Sequence, residues 1–179
     1  YFQKAIDLGD AEGLTAIGTA YYWGKAVEQD YGKALEYWQR ASEQGSTKAL
    51  TNIAYLYGHG EGVEQDFDKT MAYYQQAAEL GDEEAMSYIG NMYLFGDGVE
   101  QDYAQALEWY QRAAEENEPL ALANLGWLYH SGNGVEQDIG KALEYYQRAA
   151  SHGDADALFN IGSMYLNGQG VQKDYGKAL

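Results

Sequence analysis

Apolar residues between positions 47 and 57 recur at the spacing of one face of an α-helix, with polar residues between them. Ser46 precedes this run, and a serine at that point can accept a hydrogen bond from the first turn of a helix. A second periodic run follows Asp66 and ends before Gly81, where a glycine permits the left-handed turn that closes many helices. The pattern predicts helix A over residues 47–57 and helix B over residues 67–79.

This pair of helices recurs along the whole chain with a period of 36 residues. Val-Glu-Gln-Asp begins at Val27, Val63, Val99 and Val135, and the variant Val-Gln-Lys-Asp begins at Val171. A fixed period of this length is typical of solenoids. We predict one repeat domain over 1–179, made of a partial repeat at 1–9, repeats at 10–45, 46–81, 82–117 and 118–153, and a partial repeat at 154–179.

Several columns of the repeat have a structural interpretation. Helix A carries a glycine in four repeats, at Gly18, Gly90, Gly126 and Gly162. Each costs about 1 kcal/mol relative to alanine, so their recurrence indicates a close helix crossing. Helix B carries adjacent rings, which we expect to pack in the core: Tyr37 and Trp38, Tyr73 and Tyr74, Trp109 and Tyr110, Tyr145 and Tyr146.

These columns resemble the Sel-one-like repeat, a relative of the tetratricopeptide repeat. One unit carries the pattern at Ala121, Leu125, Gly126, Tyr129, Gly132, Gly134, Val135, Asp138, Lys141, Ala142, Tyr145, Ala149, Ala150 and Gly153. Local departures stand at Ala26, Ala54, Thr70, Gln105 and Asn117. The resemblance implies an all-α fold, a right-handed α-solenoid of antiparallel helix pairs, and a role as an adaptor in protein assemblies. It names no partner.

One stripe of helix A varies between repeats while the core columns do not. By resemblance to tetratricopeptide proteins, helix A lines the concave face of the solenoid, and this stripe would then form a groove. Asparagine can pair with the N–H and C=O of an extended peptide, and aromatic rings supply flat apolar area. The alternative is that the asparagines are solvated and the rings pack on the next repeat. The candidate partner-binding residues are Asn52, Tyr55, Tyr88, Asn91, Asn124, Trp127, Phe159 and Asn160.

The charge of the chain narrows the classes of partner. Its 28 acidic and 11 basic residues give a net charge of −17, which repels the phosphate backbone of nucleic acids and anionic membrane surfaces. We therefore expect a protein or peptide partner, with a basic one favoured, and neither a nucleic acid nor a membrane. The alternative is that the charge serves solubility alone. The compartment stays open between the cytoplasm, the periplasm and the outside of the cell.

The sequence offers no convergent catalytic or metal-binding group. There is no cysteine, and the three histidines stand in different turns of the repeats. We expect no catalytic residue, no metal and no cofactor, and hence a binding scaffold that is not an enzyme. Two alternatives remain: a structural spacer or regulatory array in a larger multidomain protein, and a hydrolase with its site on the concave face. Because the chain begins and ends within a repeat, we also expect it to be part of a longer array or to associate end to end.

Overall fold

The computed structural model describes residues 10–178, and that stretch contains nine α-helices and no strand. The five A helices are α1 (Ala11–Trp23), α3 (Thr47–His59), α5 (Glu83–Phe95), α7 (Pro119–Ser131) and α9 (Ala155–Asn167). The four B helices are α2 (Tyr31–Ser42), α4 (Phe67–Glu79), α6 (Tyr103–Glu115) and α8 (Ile139–Ser151). The all-α prediction is confirmed. The partial repeat expected at residues 1–9 lies outside the described residues.

The helix ends follow the capping residues that the sequence indicated. Asp66 accepts a hydrogen bond from the backbone N–H of Lys69, and α4 then spans the predicted range. Helix α3 begins at the predicted residue and ends two residues later than expected, at His59. Glu118 caps α7, with Pro119 at the first helical position, where its missing N–H leaves no bond unmade.

Residues 10–85 and residues 86–178 form two compact units, which we call unit 1 and unit 2 and describe separately. In unit 1, α1 packs against α2 and α3 packs against α4, and in unit 2, α7 packs against α8. The two helices of each such pair run antiparallel because a short turn joins them. The core of unit 1 is built around Leu14, Trp38, Ile53 and Leu56. The core of unit 2 is built around Tyr110, Leu122, Leu125 and Leu128.

A repeated set of hydrogen bonds holds the A-to-B turn. The backbone N–H of each capping aspartate donates to the tyrosine carbonyl nine residues earlier, as from Asp66 to Tyr57 at 3.0 Å. The side chain of the preceding glutamine donates to another carbonyl at the end of helix A, as from Gln65 Nε2 to Gly58 O at 2.7 Å. Gln29, Gln101 and Gln137 make the same bond in their repeats. These bonds satisfy carbonyls that a helix end leaves free, which explains why Gln-Asp recurs in four of the five turns; the fifth has Lys173-Asp174.

The recurring glycine of helix A makes room for a ring of helix B. A Cβ atom on Gly18 would lie 2.5 Å from the ring of Trp38, and one on Gly90 would lie 2.5 Å from the ring of Tyr110. The predicted close crossing is therefore a contact between helix A backbone and a helix B ring. The departure at Thr70 lies beside another helix A glycine, since a Cβ atom on Gly58 would come 3.2 Å from Thr70 Cγ2.

The other ring of helix B enters a layered stack with basic side chains. In unit 2 the rings of Tyr129 and Tyr145 are stacked with centroids 5.6 Å apart. Lys141 lies over the first ring and Arg148 over the second, at 5.1 and 5.7 Å. In unit 1, Lys33, Tyr21, Tyr37 and Arg40 form the same four layers. In each stack, the basic side chains make cation–π contacts with rings of their own repeat.

Candidate functional site

The variable stripe of helix A lies at the surface of each unit. In unit 1 we define the unit-1 stripe as Thr19, Trp23, Asn52, Tyr55 and His59, and in unit 2 we define the unit-2 stripe as Tyr88, Asn91, Phe95, Asn124, Trp127 and Asn160. Every one of these side chains is half-buried or exposed. The constant columns of helix A, represented by Ile17, Ile53, Ile89 and Leu125, are buried. The helix thus separates a constant inner face from a variable outer one.

The unit-1 stripe is mainly aromatic. Tyr55 stacks on His59 with ring centroids 3.9 Å apart, and the His59 ring nitrogen Nδ1 hydrogen-bonds to the Tyr55 carbonyl. The edge of Tyr22 meets Tyr55 from α1, with centroids 6.4 Å apart. Burial raises the pKa of Tyr22, and its hydrogen bond to Glu61 adds to the shift, so its hydroxyl stays protonated and donates to that carboxylate. These contacts fix the Tyr55 ring at the surface.

The unit-2 stripe contains a hydrogen-bonded pair of asparagines. Asn91 Oδ1 accepts from Asn124 Nδ2 at 3.1 Å and from the Tyr110 hydroxyl at 2.6 Å. Tyr110 belongs to helix B and is fully buried. Burial raises its pKa far above the ordinary range, with a smaller contribution from the charge of Glu118, so the hydroxyl remains a donor at any physiological pH. The stripe is therefore tied to the core at this point.

Exposed rings surround this pair. Trp127 stands one helical turn after Asn124, is 39% exposed, and lies near the ring of Tyr103 with centroids 6.5 Å apart. Phe95 stands one turn after Asn91 and is 67% exposed. On both α5 and α7, unit 2 thus places a polar amide group and an exposed aromatic ring one helical turn apart.

Phe159 and Asn160 occupy different surroundings. The column of Phe159 contains Thr15 and Ser87, whose hydroxyls bond Ser46 and Glu118 at the start of the next A helix. That column therefore faces the following repeat. Phe159 is its one aromatic residue, and its side chain is 77% exposed. Asn160 belongs to the column of Asn124 and makes no side-chain hydrogen bond within residues 10–178.

The sequence analysis missed Trp23 and Phe95. Trp23 is 60% exposed, and both residues occupy the last position of an A helix. The sequence did contain a signal for them. Their column of the repeat varies as strongly as the stripe does: it contains Trp23, His59, Phe95, Ser131 and Asn167. It lies four residues after the column of Thr19 and Tyr55, which places it on the same helix face.

The described residues contain no group of three or more histidine, cysteine or acidic side chains placed to hold a metal ion. Among the same residues no helix is long and apolar enough to span a bilayer. In unit 1 the carboxylate of Glu61 accepts a hydrogen bond from Tyr22, whose ring contacts Tyr55 of the stripe. The arrangement offers hydrogen-bonding amides and rings in a negative setting.

The fold and this surface define an α-solenoid repeat protein. The Sel1 repeat model matches residues 1–10, 11–46, 47–82, 83–118, 119–154 and 155–179. The chain belongs to the Sel1 repeat family. Its repeats are of a kind that generally serves as a protein-interaction scaffold. No curated protein matches the sequence.

Solved structures agree with this assignment. A Sel1 repeat protein from Oxalobacter formigenes is 35% identical with a TM-score of 0.89, over 96% of this chain and 70% of that one. A protective antigen of uropathogenic Escherichia coli strains displaying an SLR (Sel-one-like repeat) fold is 32% identical with a TM-score of 0.86, over 99% of this chain. The chain spans only 38% of the length of that antigen. Helicobacter pylori cysteine rich protein B shares the fold, with 24% identity and a TM-score of 0.58 over 75% of this chain and 96% of that one.

Proposed function

We propose that the chain is a non-enzymatic scaffold that binds a peptide or protein partner through the helix A stripes. The observation that carries the proposal is the unit-2 stripe, where Asn91 and Phe95 lie on α5, Asn124 and Trp127 lie on α7, and the Asn91–Asn124 hydrogen bond joins the two helices. Exposed rings anchor many interfaces because they bury a large area at little cost in conformational entropy. Asparagine supplies both a donor and an acceptor, which suits a peptide group better than a hydrocarbon.

The charge of the chain favours a basic partner. The net charge of −17 attracts cationic peptides over a distance of about one Debye length, roughly 8 Å at physiological ionic strength. Seven basic side chains lie over rings of their own repeats, and Lys33, Lys69 and Lys141 among them also pair with the aspartate that caps their helix. The other carboxylates remain in large excess over the basic side chains. A peptide that joins lysine or arginine to an apolar anchor would match both features.

The test is selection of ten-residue peptides from a random library displayed on phage, with the full chain as bait. We expect the recovered peptides to bind the wild type and to lose about tenfold or more in affinity on Trp127→Ala, with Tyr55→Ala weakening those that contact unit 1. Trp109→Ala is the matched control, because Trp109 lies on helix B with its ring covered by Arg112 at 4.2 Å. The proposal would be refuted if the peptides bound Trp127→Ala and Tyr55→Ala as tightly as the wild type while circular dichroism showed intact helices in both variants.

We also propose that unit 2 supports self-association through its exposed apolar side chains. Leu158, Phe159, Leu166 and Tyr175 are all exposed there, whereas Leu14, Leu50 and Leu122, which occupy the column of Leu158, are buried. A second copy of the chain that covers these side chains would remove apolar surface from water. Light scattering across concentrations should show a rising mass, which Phe159→Glu abolishes. A constant monomer mass at high concentration would exclude this association.

A further inference from the structure

The hydrogen bonds of the Asn91–Asn124 pair use up one end of each amide. Asn91 Oδ1 accepts from two donors, so its carbonyl faces inward, and Asn124 Nδ2 uses one of its two N–H groups in that bond. Asn91 Nδ2 and Asn124 Oδ1 make no hydrogen bond with any described residue. Thr51 Oγ1 is the one fully buried side-chain polar atom without a partner in the described part of the chain, so these two atoms reach solvent.

The pair consequently presents the Asn91 NH2 group as a donor and Asn124 Oδ1 as an acceptor, in a fixed order. In an extended segment, the N–H and C=O of a single residue point to the same side of the strand. Such a residue can donate to Asn124 Oδ1 and accept from Asn91 Nδ2. If both amides were reversed, Asn91 Nδ2 could donate to the Tyr110 oxygen and to Asn124 Oδ1, but the buried Tyr110 proton would then have no acceptor among the described residues.

We propose that Asn91 and Asn124 form a docking point for one residue of an extended peptide main chain, and that Tyr110 is the positioning residue that fixes its polarity from the core. This inference rests on the proposed function. Tyr110 touches no partner; it acts by holding the Asn91 carbonyl inward, since its hydroxyl is buried and stays protonated. No other repeat has this link in the described residues, because the column of Asn91 holds Thr19, Tyr55, Trp127 and Ser163 elsewhere.

The next repeat supplies a matched control for Tyr110. Tyr146 stands in the same column of helix B and is equally buried against a helix A glycine. Its hydroxyl makes no hydrogen bond within the described residues, and Trp127 occupies the position that corresponds to Asn91. Tyr110→Phe and Tyr146→Phe therefore remove the same atom from similar surroundings, and only the first removes the positioning bond.

The experiment uses a Trp127-dependent peptide from the library. We expect Tyr110→Phe to weaken it about 3- to 10-fold, and Tyr146→Phe to change affinity less than about 2-fold. Asn91→Asp retains an inward acceptor for both inner bonds and removes only the outward donor, so it should weaken binding about 10-fold. Asn133→Asp, which adds the same charge in the turn after α7, serves as its control.

Two further measurements keep the proposal separate from peptide binding in general. N-methylation of one peptide amide should cost about 10-fold with the wild type and nothing further with Asn124→Ala. In the free chain, ¹⁵N relaxation should report an ordered Asn91 side-chain amide that becomes mobile in Tyr110→Phe. The positioning role fails if a Trp127-dependent peptide binds Tyr110→Phe and Tyr146→Phe with equal affinity. It also fails if N-methylation weakens binding to Asn124→Ala as much as it weakens binding to the wild type. In both cases the scaffold proposal stands. If no Trp127-dependent peptide is recovered, both fail.

Discussion

The ring of Tyr146 lies against the backbone of Gly126 so closely that a Cβ atom on that glycine would come 2.6 Å from the ring carbons Cδ1 and Cε1. Tyr146 is buried and cannot swing away without leaving the core. The packing of helix B on helix A in this repeat therefore requires the absence of a single methyl group. This contact, repeated at Gly18 and Gly90, sets how close the two helices of a pair can approach.

Gly126→Ala should destabilise the fold by about 1–3 kcal/mol, because overpacking outweighs the better helix propensity of alanine. Gly32→Ala, at an exposed position of α2, is the control and should be neutral or stabilising by up to about 1 kcal/mol. Urea unfolding followed by circular dichroism measures both. Equal stabilisation of the two variants would show that the crossing has room for a methyl group.

A second prediction concerns Thr51, which is 6% exposed and whose hydroxyl has no partner among the described residues. Thr51→Val replaces that hydroxyl with a methyl group and should stabilise the chain by about 1 kcal/mol. Thr15 stands in the same column, but its hydroxyl bonds Ala11 O and Ser46 Oγ. Thr15→Val should therefore destabilise by about 1 kcal/mol. Thermal unfolding compares the two, and shifts of the same sign would contradict the assignment.

Acid should destabilise the protein partly through Asp66. The backbone N–H of Lys69 and its nearby ammonium lower the pKa of the Asp66 carboxyl, so the folded state binds the proton less tightly than the unfolded one. That stabilisation is present above the unfolded pKa of about 3.9 and is lost as the pH falls through the lower folded value. Asp66→Asn keeps a capping side chain without a titrating group, so the melting temperature should fall less between pH 5 and pH 2. Glu64→Gln, which removes a charge but no cap, should leave the wild-type slope.

Binding of a basic peptide should depend on ionic strength. A lysine-containing peptide from the library should lose affinity as sodium chloride is raised, because the attraction of exposed charges is screened. A version with the lysines replaced by glutamine should bind more weakly and respond less to salt. Fluorescence anisotropy at several salt concentrations measures both. If the lysine and glutamine peptides responded identically to salt, the charge of the chain would not contribute to its choice of partner.

The local signals of the sequence were sufficient for the helices, because capping residues and apolar spacing act within one turn. Asp66 and Gly81 marked α4 correctly for this reason. The bond between Tyr110 and Asn91 joins residues on two packed helices, and its existence depends on how deep the ring sits beside Gly90. Spacing along one helix carries no such information. The stripe residues could be proposed from variation between repeats, while the pairing within the stripe required coordinates.

Trp23 and Phe95 show a second limit. The glycine that follows each of them has a left-handed backbone, with φ of 64° at Gly24 and 79° at Gly96. The helix continues up to that glycine, so the large residue before it remains on the helix face. Helix A was predicted to end at residue 57, two positions before the one that corresponds to Trp23 and Phe95, so these residues were left out of the stripe. Ala26 takes φ of 65° without being glycine, which shows that the turn geometry is imposed by its hydrogen bonds as well as by residue type.

The stacks of tyrosine rings and basic side chains have a consequence for the response of the molecule to its medium. Cations that lie 4.2 to 5.7 Å from ring centroids are held by short-range forces that dissolved ions weaken little. The mutual repulsion of the carboxylates acts over longer distances and is the first interaction to be screened. A high salt concentration should therefore raise the melting temperature of the folded chain while it weakens the binding of a cationic partner.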